Sequence, residues 1–270
     1  MKYIRKTVKL ILLSAIVLSI IGCSKDKTSK SNSEGKELLL YCGAGLRPPV
    51  AELIEIFGLE NGVKIATDYS GAEVLLSKIK LSEQGDLYMP GDRQFVNRAA
   101  EEGLILSQKS VCYFIPTILV QKGNPKKISC LHDLTKPGIR LGLGDPNSLP
   151  VGRIAKKIFQ KNKISWVGVE KNLKFQSATV NVLGMQIQAS SLDAVIVWDA
   201  VAHYYNEYGE EVPIPLEKNV ISTVDVGVLK FTKDKELAEK FVEFIVSPHG
   251  LDIFRKHNYT IESPCDRGLE

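Results

Sequence analysis

Short apolar runs alternate with amphipathic helical patterns along most of the 270-residue chain, and this alternation limits the folds open to it. Residues 38–42 and 194–197 are apolar throughout, which is typical of strands covered on both faces. Residues 50–57 instead place apolar side chains at helical spacing. Strands that alternate with helices form layered sheets. The pattern therefore predicts an α/β fold with largely parallel strands.

The strand and helix patterns fall into two series. Three strand-helix units occupy 38–103, and a second series occupies 140–208. Between them, 111–120 is an apolar run, broken by Pro116, that is too long for a strand of one lobe. A further apolar run at 224–229 suits a return crossing, followed by two amphipathic helices. A chain that leaves one lobe, builds a second and returns has a two-segment hinge and can close on a ligand.

These crossings give explicit domain boundaries. We expect lobe 1 to contain 37–115 and 225–270, lobe 2 to contain 116–224, and a ligand cleft to lie between them.

The N-terminal segment has the features of an export signal. Four basic residues precede an uncharged stretch at 10–21. That stretch is shorter than the roughly 20 residues that a membrane-spanning helix needs. Residues 20–23, Ile-Ile-Gly-Cys, resemble a bacterial lipobox, which predicts a signal peptide at 1–22 and a lipid on Cys23. The alternative is an ordinary signal peptide whose cleavage site contains a cysteine.

Residues 23–36 are rich in Ser, Lys and Asn and predict a flexible tether. The protein is therefore expected to be exported and anchored to the cell membrane, facing the periplasm or the cell exterior. We expect a monomer.

Charge and motif content narrow the classes of function. The net charge of +4 equals the four basic residues of 1–22, so the remainder is neutral and shows no nucleic-acid-binding footprint. Common hydrolase, phosphate-loop and metalloprotease motifs are absent, and the four histidines lack metal-ligand spacing. The sequence thus predicts no enzyme, no cofactor and no protein-bound metal. Disulfides and free thiols both remain open for Cys42, Cys112, Cys130 and Cys265.

Four turns follow predicted strands and precede predicted helices: 43–47, 70–73, 145–152 and 179–181. Ligands of open α/β sheets bind at this position, where helix N-termini present unpaired N–H groups. Each turn has an alternative explanation, because Gly, Ser and Asp also serve turn geometry and helix capping. Only the four together predict a pocket for an anion.

Several segments carry a resemblance to a known family: 38–49 (LLLYCGAGLRPP), 69–72 (YSGA), 85–92 (GDLYMPGD), 143–152 (LGDPNSLPVG) and 247–250 (SPHG). Together they resemble the substrate-binding proteins of molybdate ABC transporters, which are type II periplasmic binding proteins, over nearly the whole mature chain. The resemblance implies two lobes, a hinge and a tetrahedral oxyanion held by hydrogen-bond donors from both lobes. It also implies delivery of that anion to the permease subunits of an ABC importer.

The resemblance also implies site residues in lobe 1. A family serine in the first turn matches Gly45, next to Ala44, and a second family serine falls near Ala72, with Ser70 and Gly71 close by. Both hydroxyl groups are therefore missing at the matching positions.

In lobe 2 the resemblance implies backbone N–H donors at Val151 and at Val180 or Asn181. A family tyrosine matches the dipeptide Trp198-Asp199, where the indole N–H could replace the lost hydroxyl.

Two charged residues bear on which ligand binds. Arg47 could donate a charge-assisted bidentate hydrogen bond. Asp199 would repel a dianion or accept the proton of a phosphate-like anion. The alternative is that Arg47 and Asp199 are solvated or paired with each other.

The leading interpretation is a receptor for molybdate or tungstate. A second keeps the fold but changes the ligand to sulfate, a phosphate-like anion or a small carboxylated solute. A third is a surface lipoprotein with a role outside transport.

Overall fold

The computed structural model describes residues 36–264. The predicted signal peptide, Cys23 and Cys265 lie outside this range. The strands of the described chain are β1 (Lys36–Gly43), β2 (Val63–Ser70), β3 (Leu87–Met89), β4 (Ile105–Phe114), β5 (Pro116–Gln121), β6 (Leu141–Gly144), β7 (Leu173–Ser177), β8 (Ala194–Trp198), β9 (Gly209–Pro213) and β10 (Ser222–Leu229).

The α-helices of the same range are α1 (Arg47–Asn61), α2 (Ala72–Ser82), α3 (Arg93–Glu101), α4 (Pro150–Lys161), α5 (Trp166–Asn172), α6 (Val180–Gln188), α7 (Asp199–Tyr204), α8 (Lys235–Ile245) and α9 (Pro248–Lys256). Short 3₁₀ turns occur at Ala44–Leu46, Leu131–Thr135 and Leu216–Lys218. Strand β1 begins at Lys36, which the sequence had assigned to the tether.

The strands form two five-stranded sheets. One has the order β2-β1-β3-β10-β4 and the other β7-β6-β8-β5-β9, which establishes an α/β fold of two lobes. In each sheet four strands run in the same direction, whereas the strand that arrives from the other lobe, β5 or β10, is antiparallel to both of its neighbours. The prediction of largely parallel strands therefore describes four of the five strands in each sheet. It does not describe β5 and β10, which run the other way because each arriving strand starts at the hinge end of its sheet.

The helices follow from local sequence signals. Helix α1 has prolines in its first turn, where no intrahelical N–H is required, and ends at Gly62 with a left-handed φ of 62°. Its buried face, Val50, Leu53 and Phe57, packs in the core. Helix α2 buries Leu75, Leu76 and Ile79, whereas Val74 is exposed.

The chain passes from the first sheet to the second at Ile115, between β4 and β5, and returns through 214–221. Strand β10 lies wholly in the first sheet, with Ser222 opposite Phe114. The return boundary expected at 224/225 therefore lies about three residues too late. Asn219 ties the two connections together, because its buried side-chain amide donates to the carbonyls of Pro116 at 2.8 Å and Ile214 at 3.3 Å.

The cysteines of the described chain are free thiols. Cys42 and Cys112 are buried, and Cys130 is exposed. Burial raises the pKa of the Cys42 and Cys112 thiols far above the ordinary value. Both thiols are therefore inert parts of the lobe 1 core.

Candidate functional site

A cavity of about 20 Å³ lies between the lobes, at the carboxyl ends of strands from both sheets. It has room for about one water molecule, so the cleft is closed. Its lining residues are Gly43, Ala44, Gly45, Ser70, Ala72, Gly91 and Phe114 from lobe 1, and Leu149, Pro150, Val180 and Trp198 from lobe 2.

Helix N-termini surround this cavity. Ala72, Pro150 and Val180 are the first residues of α2, α4 and α6, and Ala44 begins the 3₁₀ turn that leads into α1. The first N–H groups of a helix have no intrahelical partner, and the helix dipole makes this end positive. None of these N-termini has a side-chain cap. The cavity is thus bordered by main-chain N–H groups that could donate hydrogen bonds to an anion.

Other helices of the described chain satisfy their N-termini differently. Asp92 caps α3, Asp234 caps α8 and Ser247 caps α9, each through a side-chain oxygen. No residue of these three helices lines the cavity. The N-termini of α2, α4 and α6 at the cavity are therefore uncapped, whereas the capped N-termini of α3, α8 and α9 lie beyond the lining.

Close packing of glycines places α4 at the cavity. A Cβ on Gly152 would lie 2.2 Å from the carbonyl oxygen of Gly144, at the end of β6. The glycine of the Pro-Val-Gly turn therefore lets the first turn of α4 rest on the main chain of β6. This contact brings Pro150 and the N-terminus of α4 to the carboxyl end of the sheet.

Trp198 fills much of the space between the lobes. Its side chain is stacked on Phe114, with ring centroids 4.6 Å apart and planes 4° apart, and it is 2% exposed. A Cβ on Gly45 would lie 3.4 Å from Cδ1 of Trp198 and 3.1 Å from Cγ1 of Val180. Gly45 thus leaves room for the pyrrole edge of the indole, which carries the N–H group.

The two tryptophans differ in hydrogen bonding. The indole N–H of Trp166 donates to Glu170, whereas that of Trp198 has no protein partner within residues 36–264. Because Trp198 lines the cavity, this N–H can donate to a ligand bound there.

The charged candidates lie outside the cavity lining. Arg47 is exposed, and its guanidinium stacks over the Tyr69 ring at 4.0 Å. Asp199 is turned toward the first connection, where its Oδ1 accepts the N–H of Ile115 at 3.4 Å. Burial raises the pKa of Asp199 to about 6. The two side chains are not paired with each other among the contacts of the described chain.

Of three further predicted residues beside the cavity, Gly71 and Asn181 contact the other lobe. A Cβ on Gly71 would lie 2.7 Å from the carbonyl oxygen of Ala178 and 3.0 Å from that of Ser148, both in lobe 2. Asn181 donates from its side chain to the carbonyl of Ala44 at 3.4 Å. Val151 is buried in the first turn of α4.

The structure thus brings Ala44, Gly45, Ser70, Ala72, Val180 and Trp198 together as lining and leaves Arg47, Gly71, Val151, Asn181 and Asp199 outside it. Of the other lining residues, Gly43, Leu149 and Pro150 lie within the predicted turns 43–47 and 145–152, whereas sequence reasoning missed Gly91 and Phe114. Gly91 was open to detection, because it follows β3 at the same sheet edge as the other turns. Phe114 ends the strand before the crossing, and no local signal distinguishes it from a core residue.

Two α/β lobes that share two connections and enclose a cavity at their strand ends define a type II periplasmic binding protein. Known structures have the same fold. The periplasmic molybdate-binding protein of Azotobacter vinelandii matches with a TM-score of 0.72 and 14% identity, covering 84% of this chain and 100% of that one. AfuA of Actinobacillus pleuropneumoniae, with fructose-6-phosphate bound, matches with a TM-score of 0.75 and 19% identity, covering 85% of each chain.

The model of the bacterial extracellular solute-binding protein family matches residues 38–260, and the chain belongs to that family. Relatives include the molybdate-binding protein ModA of Mycobacterium tuberculosis, 22% identical over 250 residues that cover 90% of this chain and 94% of ModA. YvgL of Bacillus subtilis is 21% identical over 255 residues, which cover 93% of this chain and 96% of YvgL. Its name describes an ABC transporter substrate-binding lipoprotein. The family's members are binding components of ABC importers rather than enzymes. Within residues 36–264, no helix has both the length and the hydrophobicity needed to cross a bilayer.

Proposed function

We propose that this protein binds a small, fully deprotonated tetrahedral oxyanion, molybdate or tungstate, and delivers it to the permease subunits of an ABC importer. The observation that carries the proposal is the meeting of uncapped helix N-termini from both lobes at one cavity. The unpartnered indole N–H of Trp198 adds a side-chain donor. Together with Ser70, these groups can hydrogen-bond several oxygens of one anion.

The charge of the lining supports an anion without a proton. The lining residues of the described chain are all uncharged, and the carboxylate of Asp199 faces Ile115 instead. A phosphate that keeps a proton needs an acceptor, whereas molybdate, tungstate and sulfate need donors alone. The lining therefore favours these dianions over a phosphate-like anion.

The size of the site supports a compact ligand. Leu149, Pro150 and Val180 press against the glycine-rich turns of lobe 1 and leave a cavity of about 20 Å³. Binding thus requires the lobes to separate about Ile115 and 214–221 and to close again around the ligand. Closure around one small inorganic anion needs less displacement than closure around a sugar phosphate. The names of the molybdate-binding relatives agree with this choice.

Calorimetry on the chain without residues 1–35 tests the proposal, with molybdate, tungstate, sulfate, phosphate and fructose-6-phosphate as ligands. An anion at a hundred times its dissociation constant should add about 2.7 kcal/mol to the free energy of unfolding. We expect molybdate or tungstate to give the largest gain. A response to sulfate alone, to phosphate or to the sugar phosphate would reassign the ligand, and no response to any tetrahedral anion would reject the oxyanion site.

We also propose that a lipid on Cys23 anchors the protein on the outer face of the cell membrane, with residues 23–35 as a tether. The lipobox-like residues 20–23 support this, and so does the name of the YvgL relative. Cell fractionation tests it: Cys23→Ser should move the protein from the membrane fraction to the soluble fraction. Wild-type and Cys23→Ser proteins in the same fraction would reject the anchor.

A further inference from the structure

An ion pair joins the two lobes beside the cavity. Asp92 precedes α3 in lobe 1, and Arg153 lies in α4 of lobe 2, with side chains 8% and 29% exposed. The Arg153 guanidinium donates from Nη2 to Oδ2 of Asp92 and lies over the ring of Phe95, 4.9 Å from its centroid. The Asp92 carboxylate and the Phe95 ring, at the start of α3, thus bind the Arg153 guanidinium of the other lobe together.

The carboxylate of Asp92 is fixed by its own lobe. Its Oδ1 caps α3 by accepting the N–H of Gln94 at 2.8 Å, so Oδ2 is left for Arg153. When the lobes separate, the cap holds Asp92 in place and Arg153 can return to water. The lobe 1 half of the contact is therefore preorganised, and opening leaves no buried charge without a partner.

The ion pair lies directly behind opposing walls of the cavity. Gly91, next to Asp92, and Pro150, in the same turn of α4 as Arg153, both line the cavity. A Cβ on Gly91 would lie 4.0 Å from Cγ of Pro150, so these walls nearly touch. Forming the ion pair brings the walls to this distance.

The contact is also incomplete on one side. The Nε atom of Arg153 is buried without a hydrogen-bond partner within the described chain. Such a group opposes closure, which limits how firmly the ion pair can hold an empty cleft shut.

We propose that Asp92 and Arg153 form a clasp that positions the cavity walls in the closed state and slows release of the ligand. Neither residue lines the cavity, so the clasp acts through Gly91 and Pro150 rather than by contact with the ligand. Its effect on release rests on the proposed oxyanion function, whereas its effect on lobe closure does not.

Stopped-flow kinetics with molybdate separates release from capture. Asp92→Asn keeps a good helix cap and removes the charge. We expect Asp92→Asn and Arg153→Met each to raise the dissociation rate about threefold to tenfold with little change in the association rate. The double variant should be no worse than either single variant, because both remove the same contact. Asp234→Asn is the matched control, since it alters the cap of α8 in the same lobe without a contact to lobe 2.

Small-angle X-ray scattering of the ligand-free protein measures lobe closure through the radius of gyration. This measurement tests the clasp even if no tetrahedral anion binds. We expect both clasp variants to have a larger radius of gyration than the wild type and the Asp234→Asn control. If an anion binds, dissociation rates equal to that of the control would overturn the clasp. If none binds, the oxyanion proposal fails by itself, and identical radii for wild type and variants would then overturn the clasp.

Discussion

The two lobes have the same strand order but present different walls to the cleft. Each sheet begins with three parallel strands in the order β2-β1-β3 in lobe 1 and β7-β6-β8 in lobe 2. The strand that arrives from the other lobe, β10 or β5, comes next, and an edge strand, β4 or β9, is last. Lobe 1 contributes mostly glycine and alanine to the cavity, with Phe114 as the large side chain, whereas lobe 2 contributes Leu149, Pro150, Val180 and Trp198. Equal topology therefore places equivalent strand ends at the site, and unequal side-chain volume lets the lobes interlock.

The largest expected effect comes from adding volume to the small wall. The backbone of Gly71, with φ −69° and ψ 148°, suits any residue, so the space taken by lobe 2 is the reason for a glycine. Gly71→Ala should weaken anion binding by up to about 100-fold, or roughly 3 kcal/mol, because its Cβ meets main-chain oxygens of lobe 2. Calorimetry measures this loss. Gly168→Ala, where a Cβ has ordinary contacts, is the control, and equal affinity of the two variants would contradict the explanation.

A second test addresses the connections that the lobes share. Asn219→Ala removes a buried amide and leaves the carbonyls of Pro116 and Ile214 without this donor. The free energy of unfolding should fall by about 2 kcal/mol, within the usual cost of an unsatisfied buried polar group. Urea unfolding measures it, with Asn97→Ala on the exposed face of α3 as control. A loss no larger than that of the control would show that Asn219 does not support the hinge.

A third test concerns Asp199, which follows β8 of lobe 2 and contacts the hinge residue Ile115. Burial raises the pKa of Asp199 from 3.8 to about 6, so the folded state binds the proton more tightly than the unfolded state. The contribution of Asp199 to stability is therefore present below about pH 4 and lost as the pH rises to about 6. The free energy of unfolding of Asp199→Asn should exceed that of the wild type by on the order of 2 kcal/mol at pH 7 and should equal it at pH 4.

Urea unfolding at several pH values measures this difference. The exposed residue Asp252 provides the control through Asp252→Asn. A constant difference between Asp199→Asn and wild type from pH 4 to pH 7 would contradict the role of burial.

The smallest expected effect removes one donor from the large wall. Trp198→Phe keeps an aromatic ring next to Phe114 and deletes the indole N–H. The loss should be about 1.5 kcal/mol, or roughly tenfold in affinity, as for a hydrogen bond to a charged group. Isothermal titration with molybdate measures it, and Trp166→Phe is the matched control on the lobe 2 surface. Affinities that agree between the two variants would rule out a bond from Trp198 to the ligand.

The sequence predicted much of the fold because local patterns carried it. Buried strands such as 194–197 are apolar throughout, and the turn glycines and prolines mark where helices begin. The short helix α5 was missed, since its seven residues give too little periodicity. The antiparallel direction of β5 and β10 was also missed, because strand direction depends on which end of the sheet the chain enters.

For the site, the sequence identified turns but not side-chain directions. Arg47 lies in the predicted turn 43–47 and Asp199 follows the predicted strand 194–197, yet Arg47 stacks on Tyr69 and Asp199 faces Ile115. The clasp partners Asp92 and Arg153 are 61 residues apart in sequence, and no local pattern joins them.

The sequence by itself thus determined the two α/β lobes and the four turns, since hydrophobic periodicity and turn chemistry act over a few residues. The tertiary structure alone decided what the cleft contains. Only the approach of the lobes makes Gly71 a point of main-chain contact and sets Trp198 opposite Gly45. These properties depend on distances between segments far apart in the chain, which packing fixes and local sequence does not.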